Sequence, residues 1–164
     1  MNQKLKVIIV DDEPLARKGL AIRLKIFNDI DVIAQCSNGR EAIETVRAYQ
    51  PDVMFLDIQM PGINGFQVIQ SLSEQGVPLP HVVFVTAFDQ YAIQAFDVHA
   101  LDYLLKPADE ERLSQTMDKV RDYIVHKENS IHKSQLIDIV SEVTGNESSD
   151  ILAELASNKP LTIS

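Results

Sequence analysis

Cysteine occurs once in these 164 residues, at Cys36, so no disulfide forms within the chain and no cysteine-based metal site can be assembled. Set inside DVIAQCS, Cys36 reads as a buried strand thiol, the usual fate of a free cysteine. Histidine is sparse: His81, His99, His126 and His132 show no ligand spacing with one another, which argues against a transition-metal centre. Long apolar runs are missing as well. The first one ends at Asp11-Asp12, too short for a signal-peptide core or a bilayer span, so a cytosolic chain with no membrane association is expected. Positive charge is in deficit: 15 Lys and Arg against 24 Asp and Glu leave a net charge of −9, scattered along the chain. Such a surface repels nucleic-acid phosphates and anionic lipid, so a DNA-reading surface is not expected within this chain.

What is present is a set of short apolar runs, four of which end on reactive side chains. Asp11-Asp12 follows LKVIIV, Asp57 follows VMFL, Thr86 follows HVVFV and Lys106 follows DYLL. Runs of this kind, separated by amphipathic stretches, read as buried parallel strands in an alternating β/α chain. Strands are expected at 5–10, 32–36, 53–56, 82–85 and 102–105. Asp12-Glu13-Pro14 marks the first helix start, with a carboxylate near the N-cap and proline in the first turn. Leu15, Leu20, Ile22, Leu24 and Phe27 are its expected apolar side. A second helix follows Ser37-Asn38-Gly39 with Ala42, Ile43 and Val46 inward, and Phe66, Val68, Ile69 and Leu72 space out a third. A short fourth helix is expected at 90–97, and Leu113, Met117, Val120 and Ile124 give a fifth, from 109 to about 127. Five such β/α units with right-handed crossovers make a doubly wound α/β sandwich, and no other internal repeat is visible.

From residue 128 the pattern weakens. Residues 128–158 read as a linker with short helices, and 159–164 as the opening of a strand, the expected start of a second domain.

Ligands of open parallel sheets bind beyond the carboxyl ends of the strands. Three carboxylates, a hydroxyl and an ammonium on that rim describe a site for a divalent cation and a phosphoryl group. Two carboxylates ~4 Å apart repel by about 4 kcal/mol at an effective dielectric of ~20, so Asp11, Asp12 and Asp57, if convergent, call for a cation or raised pKa values. Mg²⁺ suits such hard oxygen donors. The plainer account is that Asp12 caps a helix and Asp57 lies in an exposed loop.

The stretches VIIVDDEPLAR, FLDIQMPGINGF and VVFVTAFDQYAIQAFDVHALDYLLKP, taken with their spacing, resemble the receiver domain of bacterial response regulators over residues 4–127. The resemblance implies a receiver domain at 1–127 with the flavodoxin-like (βα)5 fold and strand order 2-1-3-4-5. It makes Asp57 the phosphoryl acceptor and Asp11 and Asp12, with Asp57, the Mg²⁺ ligands, joined by the backbone carbonyl of Gln59. It also makes Thr86 the switch hydroxyl, Lys106 the phosphoryl-binding ammonium, Tyr103 the aromatic that changes rotamer, and Lys106-Pro107 a cis peptide. A carboxylate attacking phosphorus forms an acyl phosphate, and cations must neutralise the equatorial oxygens. Ala87 is small enough to leave a path to the site. With no phosphodonor histidine in the chain, a sensor histidine kinase or a small acyl phosphate is the expected source.

Two other readings use related chemistry or the same fold. A haloacid-dehalogenase-like, Mg²⁺-dependent phosphatase carries a second Asp two residues after its nucleophile, where Gln59 stands here, so sustained turnover of external substrates is not expected. A stand-alone flavodoxin-like binding module would want a phosphate-cradling loop where Asp11-Asp12-Glu13 lies.

TAFDQYAIQAFDVHALDYLLKP further resembles the receivers of LytTR-type regulators, and NKPLTIS the opening strand of their DNA-binding domain. That implies a transcriptional output in which DNA is contacted only through a C-terminal domain of which 159–164 is the start. Tyr91, Ile93, Phe96, Val98 and Leu101 are more apolar than a solvated fourth helix and its flank require, so some of them are candidates for a subunit interface. Driving a 1:99 population to 99:1 takes about 5.5 kcal/mol, which two charge-assisted hydrogen bonds at ~1.5–3 kcal/mol each barely supply. A homodimer formed on phosphorylation is therefore expected, with the surface of the fourth helix, fifth strand and fifth helix as the part that switches.

Overall fold

The computed structural model describes residues 4–128. Strands β1 (Leu5–Val10), β2 (Ile30–Cys36), β3 (Val53–Leu56), β4 (His81–Thr86) and β5 (Asp102–Leu105) alternate with helices α1 (Pro14–Leu24), α2 (Gly39–Tyr49), α3 (Gly65–Glu74), α4 (Ala92–Asp97) and α5 (Glu110–Glu128). The strands form one parallel sheet in the order β2-β1-β3-β4-β5, the expected flavodoxin-like (βα)5 arrangement. None of the described helices is long and apolar enough to cross a membrane. The linker and strand expected at 128–158 and 159–164 lie, apart from Glu128 at the end of α5, outside the described residues.

The all-apolar runs follow from burial on both faces, because successive strand side chains point to opposite sides. Val7 and Ile9 join Val53, Phe55, Val83, Val85 and Leu104 against Leu20 and Leu24 of α1 and Leu113, Met117 and Val120 of α5. Ile8 and Val10 join Met54, Leu56 and Phe84 against Ala42 and Val46 of α2, Val68 and Leu72 of α3 and Ala95 of α4. The two helical layers share one sheet, so packing on both of its faces sets where the strand ends, and with them the carboxyl rim, lie.

The structure differs from the sequence reading at three places. Leu15 and Ile22 are 84% and 56% exposed, whereas Leu20, Ala21 and Leu24 are buried. Successive helical residues advance by about 100°, so Leu15 and Ile22, seven apart, share the stripe opposite Leu24. Second, β2 begins at Ile30, which pairs with Leu5; exposed Asp31 interrupts the apolar run there. Third, α4 begins at Ala92, because Tyr91, at φ −97° and ψ 4°, is not yet helical. Cys36 is buried, as expected.

Candidate functional site at the carboxyl rim

The strand order reverses direction between β1 and β3, and the crevice at that point is where ligands of such sheets bind. Backbone bonds carry the ladder one residue past the strand ends. The Asp57 amide donates to the Val10 carbonyl at 2.9 Å, the Asp11 amide to Cys36 at 3.0 Å and the Lys106 amide to Thr86 at 2.8 Å. Asp11, Asp57 and Lys106 are thereby fixed on one rim. Carboxylate oxygens of Asp11, Asp12 and Asp57 all lie within 4.8 Å of one another, so the convergence read from the sequence is real.

The loop after Asp57 can close because of two glycines. Gly62 holds φ +83°, which L side chains adopt only with strain. At Gly65 an added Cβ would lie 2.5 Å from the Asp57 carbonyl oxygen. The Gly65 amide donates to the Ile58 carbonyl at 2.8 Å, and Asn64 and Gln67 form a reciprocal capping box at the start of α3.

Lys106 lies at the centre of the cluster. Its Nζ stands 2.7 Å from Asp11 Oδ2, 3.0 Å from Asp57 Oδ2 and 2.9 Å from Glu13 Oε1. Burial works to depress this ammonium, but the three carboxylates outweigh it and raise its pKa well above the ordinary value. Asp57 is shifted upward: burial penalises its charged form, and Lys106 offsets only part of that penalty. Its Oδ1 accepts the Ile58 amide at 2.7 Å. Glu13, exposed, is held below the ordinary glutamate range by its hydrogen bond to Lys106. The Lys106-Pro107 peptide is cis, as the resemblance implied.

The start of α1 has a carboxylate at its N-cap and a proline in its first turn, as the sequence reading expects. Glu13 is the N-cap but makes no side-chain cap bond. Asp11 Oδ1 accepts the Glu13 amide instead, at 2.9 Å, and the Arg17 guanidinium donates to the Asp11 carbonyl at 2.6 Å. Half-buried Asp12 points its carboxylate to the cluster.

Thr86 is fully buried at the end of β4, and its Oγ1 accepts the Phe88 amide at 3.4 Å. The hydroxyl of half-buried Tyr103 donates to the Phe88 carbonyl, and burial pushes its phenol pKa up. Thr86 and Tyr103 thus meet on one residue, Phe88. Ala87 is exposed, leaving the path to the rim open. Gln59, also exposed, donates through Nε2 to the Tyr91 hydroxyl at 2.6 Å. Of the apolar residues around α4, Ile93 and Phe96 are 80% and 58% exposed, whereas Tyr91, Val98 and Leu101 pack partly against the core.

The sequence reading places Glu13 only at the start of the first helix, and Phe88, with Gln59, only at positions that the receiver resemblance expects to tune the lifetime of the phosphoryl group. Glu13 sits directly after Asp11-Asp12 on the same rim, a signal hidden by its role at the helix start. Phe88 acts through its backbone, which leaves no mark in the sequence.

Four carboxylates facing one ammonium leave a negative excess of hard oxygen donors, and that set fits a divalent, oxygen-seeking cation such as Mg²⁺. The same rim offers a nucleophilic carboxylate beside a fixed cation, which is the equipment of acyl-phosphate chemistry.

Comparison with known proteins agrees with this geometry. Residues 7–118 match the family model described as "Response regulator receiver domain". An uncharacterised response regulatory protein of Yersinia pestis is 52% identical over 130 residues, covering 79% of this chain and 53% of the relative. The transcriptional regulatory protein BtsR of Escherichia coli K12 is 51% identical over 117 residues, 71% of this chain and 48% of BtsR. The chain spans about half the length of these relatives. Among solved structures, the REC domain of AraT, a response regulator from Geobacillus stearothermophilus, superposes with a TM-score of 0.67 at 32% identity, covering 76% of this chain and 98% of that domain.

Proposed function

Because this chain belongs to the response regulator receiver family, we propose that Asp57 accepts a phosphoryl group from a sensor histidine kinase or a small acyl phosphate and that the rim relays this event to the surface of α4, β5 and α5. The observation that carries the reading is the Lys106 ammonium 3.0 Å from Asp57 Oδ2 within a cluster of three converging aspartates. An oxygen of the Asp57 carboxylate attacks phosphorus, a new P–O bond forms, and the donor leaves with the electron pair of the bond it held. Negative charge then spreads over the equatorial oxygens. Lys106 is already placed to neutralise it, and the Thr86 hydroxyl can turn from the Phe88 amide to donate to the same oxygens. Asp11, Asp12 and Asp57 with the backbone carbonyl of Gln59 would hold Mg²⁺, which when bound supplies further neutralisation of the transferring group.

Turning Thr86 toward the phosphoryl group withdraws its contact with Phe88, and Phe88 is also the acceptor of Tyr103. Tyr103 would then change rotamer, altering the face of β5 and α4. Exposed Ile93 and Phe96 on that face support dimerisation of the phosphorylated form. The role is that of a cytoplasmic signalling phosphoacceptor with at most slow self-dephosphorylation, not of an enzyme acting on external substrates. A LytTR-type transcriptional output, contacting DNA through a following domain that opens near residue 159, is supported by the NKPLTIS resemblance and by BtsR, a transcriptional regulatory protein.

The test is intact-mass spectrometry after incubation with acetyl phosphate and Mg²⁺. Wild type should gain one phosphoryl group and Asp57→Ala none. Equal yields from the two proteins would refute the assignment.

A further inference from the structure

Gln59 and Tyr91 form a contact that the phosphoryl-transfer chemistry leaves unused. Gln59 stands two residues after Asp57 in the loop leading to α3, and Tyr91 is the N-cap residue of α4. Their 2.6 Å bond spans 32 residues of sequence and ties the acceptor loop to the start of that helix. The Tyr91 ring is held by aromatic neighbours as well. It lies edge-on to Phe88 at 6.4 Å and tilted against Phe66 at 6.2 Å. Phe66 meets Phe84 at 5.0 Å, Phe84 meets Tyr103 at 6.4 Å, and the Tyr103 hydroxyl returns to the Phe88 carbonyl. Five aromatic residues thus form a closed circuit under α4, and Gln59 is the one described hydrogen-bond link from it to the acceptor loop.

A neutral hydroxyl is a weaker acceptor than a phosphoryl oxygen, whose bonds are charge-assisted. Two residues of chain extend at most about 7 Å, so Gln59 cannot be far from a group on Asp57. From this geometry we infer that the Gln59–Tyr91 bond is a latch that holds the start of α4 in the unmodified protein, and that an anionic group on Asp57 opens it by drawing the Gln59 amide away from Tyr91. Tyr91 is then a positioning residue, acting on α4 and not on the transferring group. The inference rests on Asp57 being the phosphoacceptor, and it adds a second route to α4, through the Gln59 side chain, that meets the Thr86–Phe88–Tyr103 contacts in the same aromatic circuit.

Tyr91→Phe removes the hydroxyl and keeps the ring, so the aromatic circuit and the fold stay intact. The measurement is hydrogen exchange of the α4 amides of the full chain, with and without beryllofluoride and Mg²⁺, beside phosphoryl uptake read by intact mass. In wild type, beryllofluoride should speed α4 exchange. In Tyr91→Phe, exchange should already be roughly two- to tenfold faster without it, the factor that loss of one neutral hydrogen bond gives, and beryllofluoride should add little. Gln59→Leu should reproduce the fast exchange, and the double variant should add nothing further. Unchanged α4 exchange in unmodified Tyr91→Phe, or a beryllofluoride response equal to that of wild type, would overturn the latch alone if both proteins take up the phosphoryl group. Failure of both proteins to take it up at Asp57 would overturn the phosphoacceptor reading and the coupling with it.

Discussion

Replacing Lys106 with methionine keeps an unbranched apolar stem, one atom shorter, and removes the charge. Two of its three partners, Asp11 and Asp57, have side chains only 7% exposed, and Lys106 itself is 17% exposed. At an effective dielectric of ~20 each of those contacts is worth roughly 6 kcal/mol in Coulomb terms, a gross figure from which the cost of dehydrating the ammonium must be subtracted. Exposed Glu13 adds under ~1 kcal/mol. What remains is the cost of stranding buried carboxylates, about 3–5 kcal/mol when one member of a buried pair is deleted.

That loss depends on pH in a definite direction. Burial already raises Asp57, and without the ammonium it rises further. The folded variant then holds a proton that the unfolded chain sheds near pH ~4, so the stability of the variant falls as pH rises through that window. The Lys106 contribution in wild type, coming from a raised ammonium, is fully present below its ordinary value of 10.5, so it is intact at pH 8. Urea unfolding in chelator should therefore show Lys106→Met destabilised by about 3–5 kcal/mol at pH 8 and by clearly less at pH 5. A loss under ~1 kcal/mol at pH 8, or one that grows on acidification, would refute the account of Lys106 as the internal counterion.

Mg²⁺ at ten times its dissociation constant should stabilise wild type by about 1.4 kcal/mol, seen as a rise in melting temperature, and Asp12→Asn should lose most of that rise; equal responses would remove Asp12 from the metal site. For the quaternary switch, wild type should be mainly monomeric in analytical ultracentrifugation and should dimerise with beryllofluoride, whereas Ile93→Glu should stay monomeric and still take up one phosphoryl group. An association constant in wild type that ignores beryllofluoride would separate phosphorylation from this surface.

The strands and the rim were legible because a parallel strand buried on both faces is written as an uninterrupted apolar run, and the residue after it falls where ligands bind. VMFL then Asp57 and HVVFV then Thr86 needed no further information. The inward face of α1 was not legible in the same way. Leu15 and Ile22 are apolar at helical spacing, yet α1 turns Leu20 and Leu24 to the sheet and leaves the other stripe in solvent. Charge hid the start of β2, since Asp31 is an outward residue of a strand that already began at Ile30. The contacts of Phe88 with Thr86 and Tyr103 use only its peptide groups, and the Gln59–Tyr91 bond joins residues whose separation in sequence gives no hint of their meeting.

The close seat of Gly65 has a mechanical consequence. A single added carbon there would collide with the backbone of Asp57, so the first turn of α3 moves with Asp57 and cannot yield to it. On the other flank, Ala87 to Gln90 are exposed, and α4 spans only six residues. Asp57 thus works between one fixed wall and one compliant wall. A side chain added at position 65 would therefore press on Asp57 itself, whereas one enlarged at 87–90 would meet solvent. Substitutions on that exposed flank are therefore expected to leave the seat of Asp57 undisturbed.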